Sequence, residues 1–267
     1  MTGNPAYFYE RELVPAIFGI WAPVVVDFAP CKAGETVLDL ACGTGAVTRV
    51  AAQRVGITGT VVALDVNGAM LAMARTSISN TKDLSTGRLE WHEGDAHTIP
   101  FPTKSFDAIY CAFGLQLFSD RTASLREMHR ALKSQGRIAL AVWAHIEGSP
   151  AFHVLAEALE RHISADASAK VRGAFALHDP AQLRTTISEI GFQDVMVQAQ
   201  VRNARFRSVE HFVQTCMSAS RLNAHVSGVD PAARGRFVNE IRKVLLPHTT
   251  AEGFSFPMKA HLVRARK

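Results

Sequence analysis

Hydrophobic and polar positions alternate between two periods along the first half of the chain. Thr36-Val37-Leu38-Asp39-Leu40 is a short apolar run, and Thr60-Val61-Val62-Ala63-Leu64-Asp65 is a second. Leu89 to Glu93, Phe106 to Cys111 and Arg137 to Trp143 continue the series. Runs of this length, mostly unbroken by polar residues, predict strands covered on both faces, as in a parallel sheet. Helical spacing fills the gaps. It predicts helices from about Val47 to Val55, through Gly68-Ala69-Met70-Leu71-Ala72-Met73-Ala74, and around Leu125, Met128 and Leu132, the last ending near Ser134-Gln135-Gly136.

The second half is less regular. Pro150 to Ile163 reads as helix. Asp179-Pro180 opens another, with Asp as N-cap and Pro at the first helical position. It closes at Gly191, and Phe192 to Val201 reads as a strand. Helices are predicted at 208–219 and 231–246, a loop at Pro247 to Gly253, and a final strand from Phe256 to Arg266. The extra helices exceed what a crossover needs and suggest a cap over a pocket.

Length and composition narrow the field. A chain of 267 residues, 48% hydrophobic and 20% charged, suits one large domain or a core carrying an insertion. The net charge of +5 is scattered, apart from Arg264, Arg266 and Lys267. A nucleic-acid protein concentrates its basic residues on one face, so no nucleic-acid partner is expected. The four cysteines form no CxxC pair and no zinc spacing, so no metal is expected and the thiols read as buried and reduced. The opening MTGNPAYFYERE carries charge where a signal peptide is apolar. Leu13 to Pro30 is the most apolar stretch, but Pro15, Pro23, Pro30 and Asp27 interrupt it, which argues against a membrane span. A cytoplasmic protein, monomer or homodimer, is the resulting expectation.

The chemistry centres on Val37 to Gly45, where a strand enters a tight loop that opens a helix. Gly43 and Gly45 remove side chains where a ligand approaches the backbone, and the helix start offers free N–H groups to an anion. Dinucleotide folds use the same device. Two details separate the ligands. Thr48 stands where the third glycine of GxGxxG would be, and Asp39 sits at the mouth of the loop. A carboxylate there repels a pyrophosphate but tolerates an ammonium or sulfonium, as in the methionine half of S-adenosylmethionine. Asp65, 22 residues after Gly43, can accept both hydroxyls of a ribose, which supports adenosine without discriminating further. In Gly94-Asp95-Ala96 the carboxylate can accept from an adenine amino group and the Ala96 N–H can donate to a ring nitrogen. Val66, Met70 and Ile99 would sandwich the ring, although core packing is the stronger reading of Met70 and Met73.

These segments resemble the class I methyltransferases of the UbiE-like group. The matching pieces are VLDLACGTG, ALDVNGAML, GDAHTIPFPTKSFDAIYCAFGLQLF and LREMHRALKSQGRIALAVW, together covering about residues 36–143. YERELVPAIFGIWA resembles the N-terminal helix that closes over the cofactor in relatives, and HDPAQLRTTISEIGFQDVMV the helix before the sixth strand. Two departures are Ala41, where many relatives have Gly, and Ser134-Gln135-Gly136 in place of Pro-Gly-Gly. The resemblance implies a Rossmann-like seven-stranded α/β sheet with its last strand antiparallel and helices on both faces. It implies one methyltransferase domain over 1–267: a helical lid at 1–34, a cofactor-binding core at 35–143, and a half at 144–267 with a helical cap around 205–250.

The expected cofactor is S-adenosylmethionine, with S-adenosylhomocysteine as product. Its expected contacts are Asp39, Ala41, Cys42, Gly43, Thr44, Gly45, Asp65, Val66, Met70, Gly94, Asp95, Ala96, Ala112 and Phe113, with Tyr9 and Trp21 from the N-terminal segment. Acceptors meet such sites at the C-terminal strand ends. That singles out Gln116 for positioning and His145, ahead of His153, as a candidate general base. The expected reaction is methyl transfer to a small-molecule O, N or C nucleophile. Behind it stand a protein that binds the cofactor without transferring methyl, and then an RNA or protein methyltransferase.

Overall fold

The computed structural model describes residues 4–79, 87–219, 222 and 229–267. Among the described residues there are eight strands: β1 (Thr36–Leu40), β2 (Thr60–Asp65), β3 (Arg88–Glu93), β4 (Phe106–Ala112), β5 (Leu132–Trp143), β6 (Gln193–Phe206), β7 (Thr249–Thr250) and β8 (Gly253–Arg266). Their order is β3-β2-β1-β4-β5-β8-β6, with β7 pairing off that path onto β8. Strands β1 to β5 run parallel, and the last strand is antiparallel. The expected seven-stranded α/β sheet is therefore present, plus a two-residue strand.

The chain divides into two compact units. The sheet unit comprises Gly19–Val142, Asp179–Gln200 and Ala260–Lys267. Its central strands are almost wholly buried because helices cover both faces. The strand order reverses direction between β1 and β4, the place where ligands bind in open α/β sheets. The unit contains α2 (Gly19–Phe28), α3 (Ala46–Val55), α4 (Gly68–Ser79), α5 (Arg121–Ala131) and α8 (Pro180–Glu189). In α3, Val47, Thr48, Ala51, Ala52 and Val55 form the buried stripe that helical spacing predicted. Asp179 caps α8 as expected, accepting from the N–H groups of Ala181 and Gln182.

The helical unit comprises Met1–Phe18, Trp143–His178 and Val201–Lys259. Here α6 (Pro150–His162) packs against α7 (Ala165–Gly173) and α10 (Pro231–Leu245), and α9 (Val209–Ala219) packs against α10. The short α1 (Pro5–Phe8) continues into a π-helical stretch, Tyr9–Phe18, that contains Pro15. Four phenylalanines, Phe152, Phe206, Phe254 and Phe256, pack edge-on or tilted around Phe212. Burying a Phe contributes about 1.5–3 kcal/mol, and a favourable ring pair adds about 0.5–1.5 kcal/mol. Residues 220, 221 and 223–228, within the stretch expected to form the cap, lie outside the described residues.

Several boundaries differ from the sequence expectation. Helix α5 ends at Ala131, and Leu132 already pairs with Phe106 in β5. Ser134-Gln135-Gly136 is a bulge inside that strand, with Gln135 at φ +72°. Leu132 is buried in either reading, so periodicity could not assign it. Strand β6 runs five residues past Val201; Arg202, Asn203 and Arg205 in that extension are polar and exposed, so no apolar run marks it. The expected loop at 247–253 holds β7 and its hairpin with β8. Helix α7 carried no apolar period; Ser164 caps it by accepting from the Ala167 N–H.

All four cysteines are buried and free. Among the described residues no helix is long and apolar enough to cross a membrane. No described cluster of His, Cys, Asp and Glu could hold a metal ion.

Candidate functional site

Four backbone positions in the left-handed region mark the C-terminal ends of β1 and β4. They are Ala41 (φ +57°), Gly43 (φ +55°), Gly45 (φ +84°) and Phe113 (φ +60°). A non-glycine residue in that region costs about 1–3 kcal/mol, and such strain gathers at ligand sites. Space at Gly45 is tight as well: a Cβ would stand 3.3 Å from the Trp91 ring, and the backbone conformation strains any side chain there. A Cβ on Gly114 would stand only 2.7 Å from Ala41 Cβ. The Ala41 methyl group, with Cys111 Sγ at 2.9 Å, thus leaves a side chain at 114 no room unless its neighbours shift.

Asp65 joins three loops. Its Oδ2 accepts from the Gly43 N–H at 2.8 Å, its Oδ1 from the Asn67 N–H at 2.9 Å, and its backbone oxygen from the Gly94 N–H at 3.1 Å. The carboxylate expected from spacing therefore stands against the glycine loop, while the backbone of the same residue holds the Gly94-Asp95-Ala96 loop. Burial raises its pKa, and the backbone donors oppose that shift. Val66, next in the chain, leaves 69% of its surface exposed, an apolar platform at the strand end. Met70 beside it on α4 is half-buried.

Asp39 is 1% exposed, so it lies inside the loop rather than open at its mouth. Thr48 Oγ1 donates to its Oδ2 at 2.6 Å. Burial pushes the Asp39 carboxyl up to about 7; the Thr48 bonds oppose this and the nearby Asp65 charge adds to it. Thr48 was visible in the sequence only as a missing third glycine. Its role depends on the first turn of α3 folding back over β1. Thr44 Oγ1 is buried without a hydrogen-bond partner. Cys42 packs with Ala63, Leu71 and Trp91, and burial holds its thiol far above the usual range. Ala112 ends β4, and Phe113 meets the buried Trp21 edge-on at 5.9 Å.

Asp95 is half-exposed, and hydrogen bonds from His97 hold its carboxyl below the usual range. Ala96 and Ile99 beside it are buried. Gln116 is buried in a 3₁₀ turn, Leu115–Leu117, while Leu117 next to it is exposed. The sheet unit therefore contains every expected cofactor contact except Tyr9. Tyr9 belongs to the helical unit and stacks on Phe18 at 5.0 Å. His145 is in that unit too, edge-on to His178 at 4.7 Å, with its Nδ1 3.6 Å from Glu147. His153 Nε2 stands 3.3 Å from Glu157.

The donor set suits an adenosyl amino acid. The bared Gly43–Gly45 backbone, the unpartnered Thr44 hydroxyl, two carboxylates at the ends of β2 and β3 and the Val66 platform match its polar and apolar parts. Comparison with known proteins decides the family. The model of the ubiE/COQ5 methyltransferase family matches residues 13–162, more than half of the chain. The chain belongs to that family. A ubiquinone/menaquinone biosynthesis C-methyltransferase UbiE of an Enterobacter species is 39% identical over 122 residues, which is 46% of this chain and 48% of the relative. The chain thus spans about half the length of the curated UbiE relatives it matches. Two solved structures share the fold. A Bacillus halodurans protein described as a candidate methyltransferase is 20% identical, with a TM-score of 0.61 over 92% of this chain and 98% of the other. YcgJ of Bacillus subtilis is 18% identical, with a TM-score of 0.59 over 92% and 97%. All the site segments of the sheet unit from Trp21 to Gln116 fall inside the ubiE/COQ5 match.

Proposed function

We propose that this ubiE/COQ5 family member transfers a methyl group from S-adenosylmethionine to a small-molecule acceptor. The observation that carries the reading is Asp65, which meets the glycine loop and the Gly94 loop at once and so gathers the adenosyl-binding elements at one strand end. When bound, the cofactor supplies an electrophilic methyl group on a sulfonium. The residues of this chain hold and orient. Asp65 receives the ribose hydroxyls, Asp95 the adenine amino group, and Val66 and Met70 the face of the base. The α3 N-terminus with Gly43, Thr44 and Gly45 takes the amino-acid carboxylate, and Asp39 balances its ammonium. Ala41, Cys42, Gly94, Ala96, Ala112, Phe113 and Trp21 complete the wall, and Tyr9 is assigned to the lid. Alignment of this kind can lower a barrier by about 7–11 kcal/mol without an acid or base.

Gln116 is assigned to acceptor positioning and His145 to proton removal where the nucleophile needs it. The division into a 1–34 lid, a 35–143 core and a 144–267 half belongs to this proposal. So does a cytoplasmic setting, as monomer or homodimer, without nucleic acid. The UbiE relatives are ubiquinone/menaquinone biosynthesis C-methyltransferases, which puts quinone precursors first among acceptors to try. Calorimetry with S-adenosylhomocysteine tests the cofactor, and mass analysis of incubated acceptors tests transfer by the gain of one methyl group. Binding of NAD in place of S-adenosylhomocysteine would end the reading. Unchanged turnover of His145→Ala across pH would remove His145 from it.

A further inference from the structure

We propose that His97 is a positioning residue that orients the Asp95 carboxylate for the nucleobase amino group and ties that loop to the segment following β4. This rests on the adenosyl reading of the Gly43–Ala96 region and deepens it. The His97 backbone N–H donates to Asp95 Oδ1 at 2.9 Å, and His97 Nδ1 bonds to the same oxygen. On the other side of the ring, Nε2 receives the Asp120 N–H at 3.1 Å, and Ser119 Oγ stands 3.4 Å away. Phe118 meets the ring edge-on at 6.0 Å.

An amide N–H is only a donor, so Nε2 must present a lone pair. The proton of the neutral ring is therefore on Nδ1, where it donates to Asp95. Each ring nitrogen has a separate partner, one in the base-recognition loop and one 23 residues further along. Both His97 bonds fall on Oδ1, which leaves Oδ2 for an external donor. A half-exposed aspartate on a loop would otherwise sample several rotamers, and fixing it beforehand removes that entropy cost from binding. Asp120 in turn caps α5 by accepting from the Ala123 N–H at 2.9 Å. The held loop is thereby anchored to the start of a helix. The segment between Gln116 and that helix start is the one that would face an acceptor.

Two substitutions separate the two nitrogens. Asn places an amide nitrogen near Nδ1, and Gln places an amide oxygen near Nε2. The probes are S-adenosylhomocysteine and its 6-deamino analogue, in which hydrogen replaces the 6-amino group of the purine, so that the amino donor is lost while the ring nitrogens remain acceptors. We expect the wild-type protein to prefer the adenosyl compound by about tenfold or more, in line with one hydrogen bond to a charged group. His97→Ala and His97→Gln lose that preference and bind the adenosyl compound about tenfold more weakly, whereas His97→Asn keeps both. Amide exchange at Asp120 shows the complementary pattern: faster in His97→Ala and His97→Asn, protected in His97→Gln. A His97→Ala protein that retains the base preference, or equal weakening by Asn and Gln, overturns the positioning role. Wild-type protein that binds neither compound sinks the adenosyl reading itself, and this inference with it.

Discussion

At the scale of single residues, the site depends on groups held away from their ordinary states. Asp39 is ionised in the unfolded chain above about pH 4 but titrates at about 7 when buried. Between those values the folded protein binds a proton that the unfolded chain releases. Stability of the ligand-free protein therefore falls as pH rises from about 4 through 7 in respect of this group. A ligand ammonium near Asp39 favours the carboxylate. Calorimetry should accordingly show S-adenosylhomocysteine binding weaken as pH drops below 7, by up to about tenfold per unit. Thr48→Val removes the 2.6 Å donor and should move that midpoint upward, with a stability loss of about 1–3 kcal/mol in urea titration. Ala41 and Gly114 make a second test. Gly114→Ala drives two Cβ atoms to 2.7 Å and should cost about 1–3 kcal/mol. Ala41→Gly relieves a φ of +57° and opens that space, so it should recover part of the Gly114→Ala loss in a double-mutant cycle, the 2.9 Å approach to Cys111 Sγ remaining. The carboxylates and glycines were legible in the sequence because each follows a predicted strand at a recognisable spacing. Thr48 and His97 as their partners were not, because those partnerships depend on how the loops fold back.

Among the elements, those with strong local signals appear where the pattern put them. Strands β1, β2 and β4 read directly because burial on both faces demands continuous apolar runs. Helix α8 read directly because Asp179 and Pro180 mark its start chemically. Asp179→Ala should cost about 1 kcal/mol in denaturant unfolding and leave S-adenosylhomocysteine affinity unchanged, since it removes a cap and nothing else. Where local signals conflict, pairing decides. Leu132 satisfies a helix stripe and a strand equally, and its pairing with Phe106 assigns it to β5. The π-helical stretch Tyr9–Phe18 had no separate signature, because its apolar positions also fit an ordinary helix.

In the whole molecule, function rests on the sheet order and stability on two packed interiors. In the helical unit, the ring cluster around Phe212 comes from residues between 152 and 256, so no local window could reveal it. Phe212→Ala should destabilise by roughly 3–5 kcal/mol, read as a large drop in urea midpoint, because the neighbouring rings cannot close the cavity. By itself, the sequence determined the strand–helix alternation, the glycine loop and the three aspartates, and through them the family. Those features arise from local periodicity, backbone sterics and charge, which act over a few residues. Only the tertiary structure decided that β4 and not β3 lies beside β1, that Asp65 reaches the N–H groups of Gly43 and Gly94, that Asp39 is buried enough to titrate near neutrality, and that His97 links two loops. Each of these follows from packing between segments far apart in the chain, where hydrogen-bond partners and desolvation are set by neighbours that no short stretch contains.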